Sequence, residues 1–321
     1  MAGEVSVDRI EFASHDGTST IHGFTWIGEG VPRRDDGQLA PRGVVQLVHG
    51  MAEHITRYDE FARYLADAGF VVAGHDQIGH GKSSAPEKWG CLPAKDGKDI
   101  LIEDVHTLRG IMEAHVVPGT PYFVFGHSLG SFITRAYLAR HGEGLAGAVI
   151  CGTGFVPVAT SKAGNALARL ICRLRGEDHV SGLLSSMGVG AYAKAIKDAK
   201  TELDWLSYRT ENAETYMADE ACGFPFSAGG YATVTSLTAE VCDLACCTKV
   251  PKSLPLLYVA GDGDPVGSMG EGVRQSAELA KQAGSTDVTV KIYDHMRHEI
   301  LNEDNRGQVM ADILAWIEEK L

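Results

Sequence analysis

The chain of 321 residues carries 42 acidic against 29 basic side chains, and its formal charge of −13 repels polyanions and argues against nucleic-acid binding as the main activity. With 44% hydrophobic and 22% charged residues it is too ordinary for disorder or a fibre, and it is long enough for one large α/β domain with an insertion or for two small domains. No apolar run reaches the roughly 18 residues of a membrane span, and Met1 to Ile10 carries Glu4, Asp8 and Arg9 where an export signal needs apolar residues. Seven cysteines, an odd set placed mostly in apolar surroundings, fit reduced thiols in a cytoplasmic protein. The close trio Cys242, Cys246 and Cys247 lacks the paired C-x-x-C spacing of a zinc site, so no metal is expected there.

In chain order, Val5 to Ala13 and Thr20 to Ile27 read as two antiparallel strands, with Asp16-Gly17 expected to supply the positive φ of a tight hairpin. Short unbroken apolar runs follow at Val44 to Val48, Phe70 to Ala73, Tyr122 to Phe125 and Ala146 to Cys151. Each is too short for a helix and reads as a parallel strand covered on both faces. Between them, Tyr58, Phe61, Ala62 and Leu65, and then Leu101, Val105, Leu108 and Met112, repeat at helical spacing. This alternation implies right-handed crossovers and a doubly wound, mostly parallel sheet, whose ligands bind beyond the carboxyl ends of the strands. From Gly152 to Thr248 the alternation gives way to helices and loops. It resumes with strands at Leu256 to Ala260 and Val288 to Tyr293 and a closing helix through Val309, Ile313 and Ile317. The expected organisation is a core over 1–151 and 249–321 interrupted by a helical cap over 152–248.

The chemistry is expected in the loops after the strands. Gly126-His127-Ser128-Leu129-Gly130 fits G-x-S-x-G and sits between the strand at Tyr122 to Phe125 and a helix striped by Phe132, Ile133, Ala136 and Tyr137. A serine in this turn is strained and exposed at the strand end, and Gly126 and Gly130 remove side chains that would collide. The Leu129 N–H then opens a helix, where it can stabilise an oxyanion. Serine is a weak nucleophile at neutral pH, so a base and an orienting carboxylate are needed downstream. Gly261-Asp262-Gly263-Asp264-Pro265 offers two carboxylates, Asp264 being preferred and Asp262 suiting a turn. His295 and His298 both lie past the last strand, so the order Ser, Asp, His is that of the strand-elbow-helix hydrolases. His49-Gly50-Met51 follows the strand at Val44 to Val48 and places the Met51 N–H as a second oxyanion donor. His127 is read as a packing residue, and Glu53 and His54 receive no role. Gly81-Lys82-Ser83 is no phosphate loop, because Asp76 stands where a glycine is required, and His298-Glu299 is no zinc motif, because Asn302 stands where histidine is required.

With these segments in view, the chain resembles the monoacylglycerol lipase and lysophospholipase branch of the α/β hydrolases, which also contains serine aminopeptidase-like sequences. His49 to His54 resembles the family's oxyanion loop, Asp76 to Ser83 its D-x-x-G-H-G-x-S loop, and Gly126 to Gly130 its elbow. Gly261 to Val266 is similar to its acid loop, and Met296 to Glu299 to the stretch with its histidine. The resemblance implies an α/β-hydrolase fold with a lid, assigns the acid to Asp264 and favours His298 over His295. It covers about residues 10–150 and 250–321, while the cap matches only in position and helical character.

The reading is therefore a cofactor-free serine hydrolase in which Ser128 attacks a monoglyceride- or lysolipid-like ester, His298 moves the proton, Asp264 orients it, and Met51 and Leu129 hold the oxyanion. An aminopeptidase is the rival enzyme, needing a carboxylate for a free amino terminus that Glu211, Glu214, Asp219 or Glu220 could supply; a silent binding protein is the rival outside enzymes. In the cap, Leu167, Leu170, Ile171 and Leu174 form a stripe flanked by Arg169, Arg173 and Arg175. It either packs on the core or rests transiently on a lipid surface. Oligomeric state is left open.

Overall fold

The computed structural model describes residues 4–197 and 199–321. Eight strands form one sheet in the order β1-β2-β4-β3-β5-β6-β7-β8. They are β1 (Val5–Ala13), β2 (Thr20–Gly28), β3 (Val44–Val48), β4 (Val71–His75), β5 (Tyr122–His127), β6 (Gly147–Cys151), β7 (Leu256–Gly261) and β8 (Val288–Tyr293). From β4 to β8 every neighbouring pair is parallel, while β2 runs antiparallel to both β1 and β4. Every residue of β3, β4, β5, β6 and β7 is buried, which is why these segments read as unbroken apolar runs. The edge strands differ: β8 alternates between partly covered and exposed residues, and β1 is largely exposed and carries Asp8, Arg9 and Glu11.

The turn between β1 and β2 differs from the tight hairpin expected. Pairing ends at Ala13 with Thr20, so six residues intervene. Gly17 does take a positive φ of 76°, but the loop is organised by Asp16, whose carboxylate accepts from the N–H groups of Thr18 and Ser19 at 2.7 Å. A carboxylate that satisfies its own loop's backbone supports a longer turn than Asp-Gly alone suggests.

Helices cover both faces. On one lie α1 (Asp59–Asp67) and α11 (Arg306–Glu318), burying Phe61, Ala62, Leu65, Ile313 and Ile317 against Phe123 and Phe125. On the other lie α2 (Gly97–His115), α3 (Leu129–His141) and α10 (Glu271–Gln282), burying Leu101, Val105, Ile133 and Ala277 against Val124 and Ile150. Burying a Leu or Phe side chain is worth roughly 1.5–3 kcal/mol, so these two layers hold the strand ends, and whatever stands on them, in place.

Between β6 and β7 come α4 (Val158–Arg175), α5 (Gly182–Met187), α6 (Val189–Ala195), α7 (Thr210–Ala218), α8 (Ala228–Val241) and α9 (Leu244–Cys247). α4 lies along α8 through Ser161, Asn165 and Ala168. The Asn165 amide donates to the Ala232 carbonyl at 2.6 Å and the Thr238 hydroxyl to Ser161 Oγ at 3.0 Å. The leucine stripe is therefore not the buried face. Leu167 and Ile171 flank the contact and are partly covered, while Leu170 and Leu174 point away from it and are 51% and 72% exposed. Small and polar residues let α4 approach α8 closely, and this turns the leucines outward.

Candidate active site

Ser128 sits between the end of β5 and the start of α3 with φ 54° and ψ −119°, a conformation that costs a non-glycine residue energy and needs a rigid frame. Its N–H donates to the Cys151 carbonyl on β6 at 3.0 Å, and its carbonyl accepts from the Ser131 hydroxyl at 2.6 Å. A Cβ on Gly126 would stand 2.3 Å from the Gly130 carbonyl oxygen, and one on Gly130 would stand 2.0 Å from that of Val48. The turn closes only because both positions lack side chains.

The second loop, after β3, passes directly beside this elbow: a Cβ on Gly50 would lie 3.1 Å from the Ser128 Cβ. The loop is pinned by the segment after β4. Gln77 donates its N–H to His49 Nε2 at 3.0 Å and its side-chain amide to the His49 carbonyl at 2.7 Å, and Asp76 accepts from the Ile55 N–H at 2.8 Å. The Ala52 N–H donates to His80 Nε2 at 3.3 Å. Among the described residues the N–H groups of Met51 and Leu129 have no hydrogen-bond partner, and both residues line the cavity that holds Ser128.

Asp264, after β7, is fully buried. One of its oxygens accepts from the Val266 N–H at 2.9 Å and the other lies 3.0 Å from His298 Nδ1. His298 is 2% exposed and lies on the wall of the same cavity as Ser128, with its ring against Trp205 at 5.1 Å and His127 at 4.7 Å. The alternatives are placed elsewhere. Asp262 is exposed and accepts from the Met296 N–H, while His295 is exposed with φ 54° and stacks on Tyr208 at 4.1 Å. The Ser128 hydroxyl forms no hydrogen bond among the described residues.

The cavity, of about 890 Å³, is bounded by Met51, Ser128, Leu129 and His298 on the sheet side and by Tyr192, Trp205, Leu206, Phe224 and Tyr231 from the helices and loops between β6 and β7. Its lining is mainly apolar and suits a hydrophobic ligand. Of the four acids weighed for an amino-terminus site, Glu211, Glu214 and Glu220 are exposed and off this wall, and Asp219 is paired with His54 at 2.8 Å.

Sequence reasoning assigned no role to Glu53 or His54 and packing alone to His127. His54 Nδ1 bonds the Thr56 hydroxyl at 2.8 Å within the loop after β3, and its Nε2 bonds Asp219, so the ring ties that loop to the inserted segment. Cys222 lies near this pair, its thiol pushed up to about 12 chiefly by burial. His127 Nε2 lies 3.1 Å from the His298 carbonyl oxygen and its Nδ1 3.6 Å from Glu53. Burial alone would lower the His127 pKa, but Glu53 outweighs it and the pKa is raised.

An elbow serine, a buried Asp-His pair and a mostly parallel eight-stranded sheet define an α/β-hydrolase fold. Residues 40–305 match the family described as serine aminopeptidase S33, and the chain belongs to it. A monoacylglycerol lipase of Mycolicibacterium smegmatis is 30% identical over 280 residues, covering 86% of this chain and 88% of that protein. The human monoglyceride lipase is 24% identical over 290 residues, 87% of this chain and 84% of its own length. Among solved structures, a thermostable carboxyl esterase from Bacillus coagulans in complex with glycerol superimposes with a TM-score of 0.88 at 32% identity, covering 98% of both chains. The chain is thus a hydrolase whose full-length relatives are ester hydrolases. No helix among its described residues is long and apolar enough to cross a membrane.

Proposed function

We propose that the protein is a serine esterase acting on monoacylglycerol- or lysophospholipid-like substrates through Ser128, His298 and Asp264. The observation that carries this reading is the fully buried Asp264 carboxylate 3.0 Å from His298 Nδ1, with His298 and the strained Ser128 lining one cavity. In the reaction His298 takes the Ser128 proton as Oγ attacks the ester carbonyl. Asp264 keeps the imidazole in the tautomer with Nδ1 protonated and stabilises the imidazolium. The tetrahedral oxyanion is held by the unpaired N–H groups of Met51 and Leu129, the latter at the positive end of α3. His298 then returns the proton to the leaving alcohol, and water cleaves the acyl-enzyme by the same route.

The mainly apolar cavity supports an acyl chain as the bound group, although Glu202 of the inserted segment also lines it. Residues 152–248 are read as the cap that covers this cavity. Leu170 and Leu174 on α4, with Leu183 and Met187 on α5 at 55% and 58% exposure, support transient contact with a lipid surface. The seven free thiols suit the reducing conditions of a cytoplasm. A panel of monoacylglycerols, lysophospholipids, p-nitrophenyl esters of rising chain length and aminoacyl amides tests the substrate class. Monoacylglycerols or lysophospholipids are expected to give the highest kcat/KM, and preference for the amides contradicts the reading.

A further inference from the structure

Three charged side chains, Glu53 and Glu299 at the cavity wall and Arg57 behind them, take no part in the chemistry above. Glu53 Oε1 accepts from the Gly50 N–H at 2.5 Å and the Tyr58 hydroxyl at 2.8 Å, while its Oε2 accepts from Arg57 at 2.6 Å. The Arg57 guanidinium also forks onto Glu299, Nη1 to Oε1 at 2.7 Å and Nη2 to Oε2 at 2.8 Å. Glu299 receives the amides of Asn212 and Asn302 at 2.6 and 3.0 Å. The side chains of Glu53, Arg57 and Glu299 are only 4%, 11% and 4% exposed.

Removing such charges from water is costly, and well-packed apolar residues of the same volume often serve stability as well or better. What the ions add is geometry. By accepting from the Gly50 N–H, Glu53 folds the loop back on itself, with Ala52 at φ 55°, and Met51 stands at the crest of that turn. At the other end, Glu299 directly follows His298 and its N–H is anchored to the Leu206 carbonyl at 2.8 Å. A bidentate guanidinium fixes both distance and plane, so Arg57 sets the spacing of two loops that no strand pairing connects. His127 closes the circuit. Glu53, 3.6 Å from its Nδ1, favours its protonated form, and from within the elbow its Nε2 lies 3.1 Å from the His298 carbonyl oxygen.

We propose that Glu53, Arg57 and Glu299 form a brace that holds the Met51 N–H and the His298 imidazole at working separation around Ser128. They are positioning residues for acylation, and the inference rests on the Ser128, His298, Asp264 reading. A displacement of about 1 Å at a reacting group can cost about 100-fold in rate. Binding of the acyl chain, which depends on the apolar wall, is left largely intact.

The test compares Arg57→Lys, which keeps the charge and loses the fork, with Glu299→Gln, which keeps the shape and loses the charge. Each is expected to lower kcat on a soluble short-chain ester by about 30- to 100-fold with KM changed by less than about threefold, and to slow capture by a fluorophosphonate probe by the same factor. Should Arg57→Lys and Glu299→Gln fail to fold, Asn212→Ala leaves every ion pair in place and removes one support of Glu299, with an expected fall of about fivefold in both rates. Folded variants whose kcat and capture rate stay within about twofold of wild type, or whose defect lies in KM alone, overturn the brace. Wild-type protein that gives no adduct at Ser128 overturns the triad reading and the brace with it. An adduct at Ser128 with unaffected variants overturns the brace alone.

Discussion

The sheet and the inserted helices solve burial in opposite ways. In β3 through β7 every residue is covered, and the Ser128 elbow and Asp264 stand at the ends of β5 and β7, while His298 lies in the loop after the half-covered edge strand β8. The insertion instead packs α4 on α8 through Ser161, Asn165 and Ala168 and leaves Leu170, Leu174, Leu183 and Met187 largely uncovered. Chemistry needs groups fixed to a fraction of an ångström, which a doubly covered sheet supplies. Admitting and enclosing a chain of variable length suits helices with little core of their own.

The sharpest way to break this comparison is at the strand ends, between neighbours that the fold treats differently. His298→Ala is expected to lower kcat by about 10³-fold or more and His295→Ala by less than about threefold, since only the former is buried against Asp264. Asp264→Asn is likewise expected to cost about 10³-fold or more, because it favours the wrong histidine tautomer, while Asp262→Asn leaves turnover nearly unchanged. Steady-state kinetics on one soluble ester reads all four. Equal effects within either pair would detach the buried pair from the chemistry.

A smaller effect is expected from the insertion. Replacing Leu170 and Leu174 by Ser should reduce hydrolysis of micellar monoacylglycerol by about three- to tenfold while sparing a soluble ester and the melting temperature, because neither side chain is packed. Leu167→Ser and Ile171→Ser, whose side chains are partly covered, should instead lower the melting temperature and both activities together. A flotation assay with anionic vesicles checks whether binding follows the first pair. If the exposed pair behaves like the covered one, α4 is core throughout.

Much of the sheet was legible because doubly covered strands must be continuously apolar, and the elbow because its strain demands Gly126 and Gly130 around Ser128. The choice of His298 over His295 rests mainly on resemblance, since both lie in one loop and burial is not written locally. The Glu53, Arg57 and Glu299 cluster was not legible at all. Arg57 and Glu299 are 242 residues apart, and a charged residue reads as solvated until its partners are brought to it by the fold. The leucine stripe on α4 stayed open between core packing and lipid contact for a related reason. Its spacing is that of a buried face, but the neighbour it meets, α8, is contacted through small and polar residues instead.

The central claim is that Ser128 is the nucleophile. Incubation with a fluorophosphonate followed by peptide mass spectrometry tests it most directly. A single adduct on the peptide containing Gly126 to Gly130, localised to Ser128 and absent in Ser128→Ala along with ester hydrolysis, is the predicted result. Labelling at another residue, or turnover that survives in Ser128→Ala, would contradict the account.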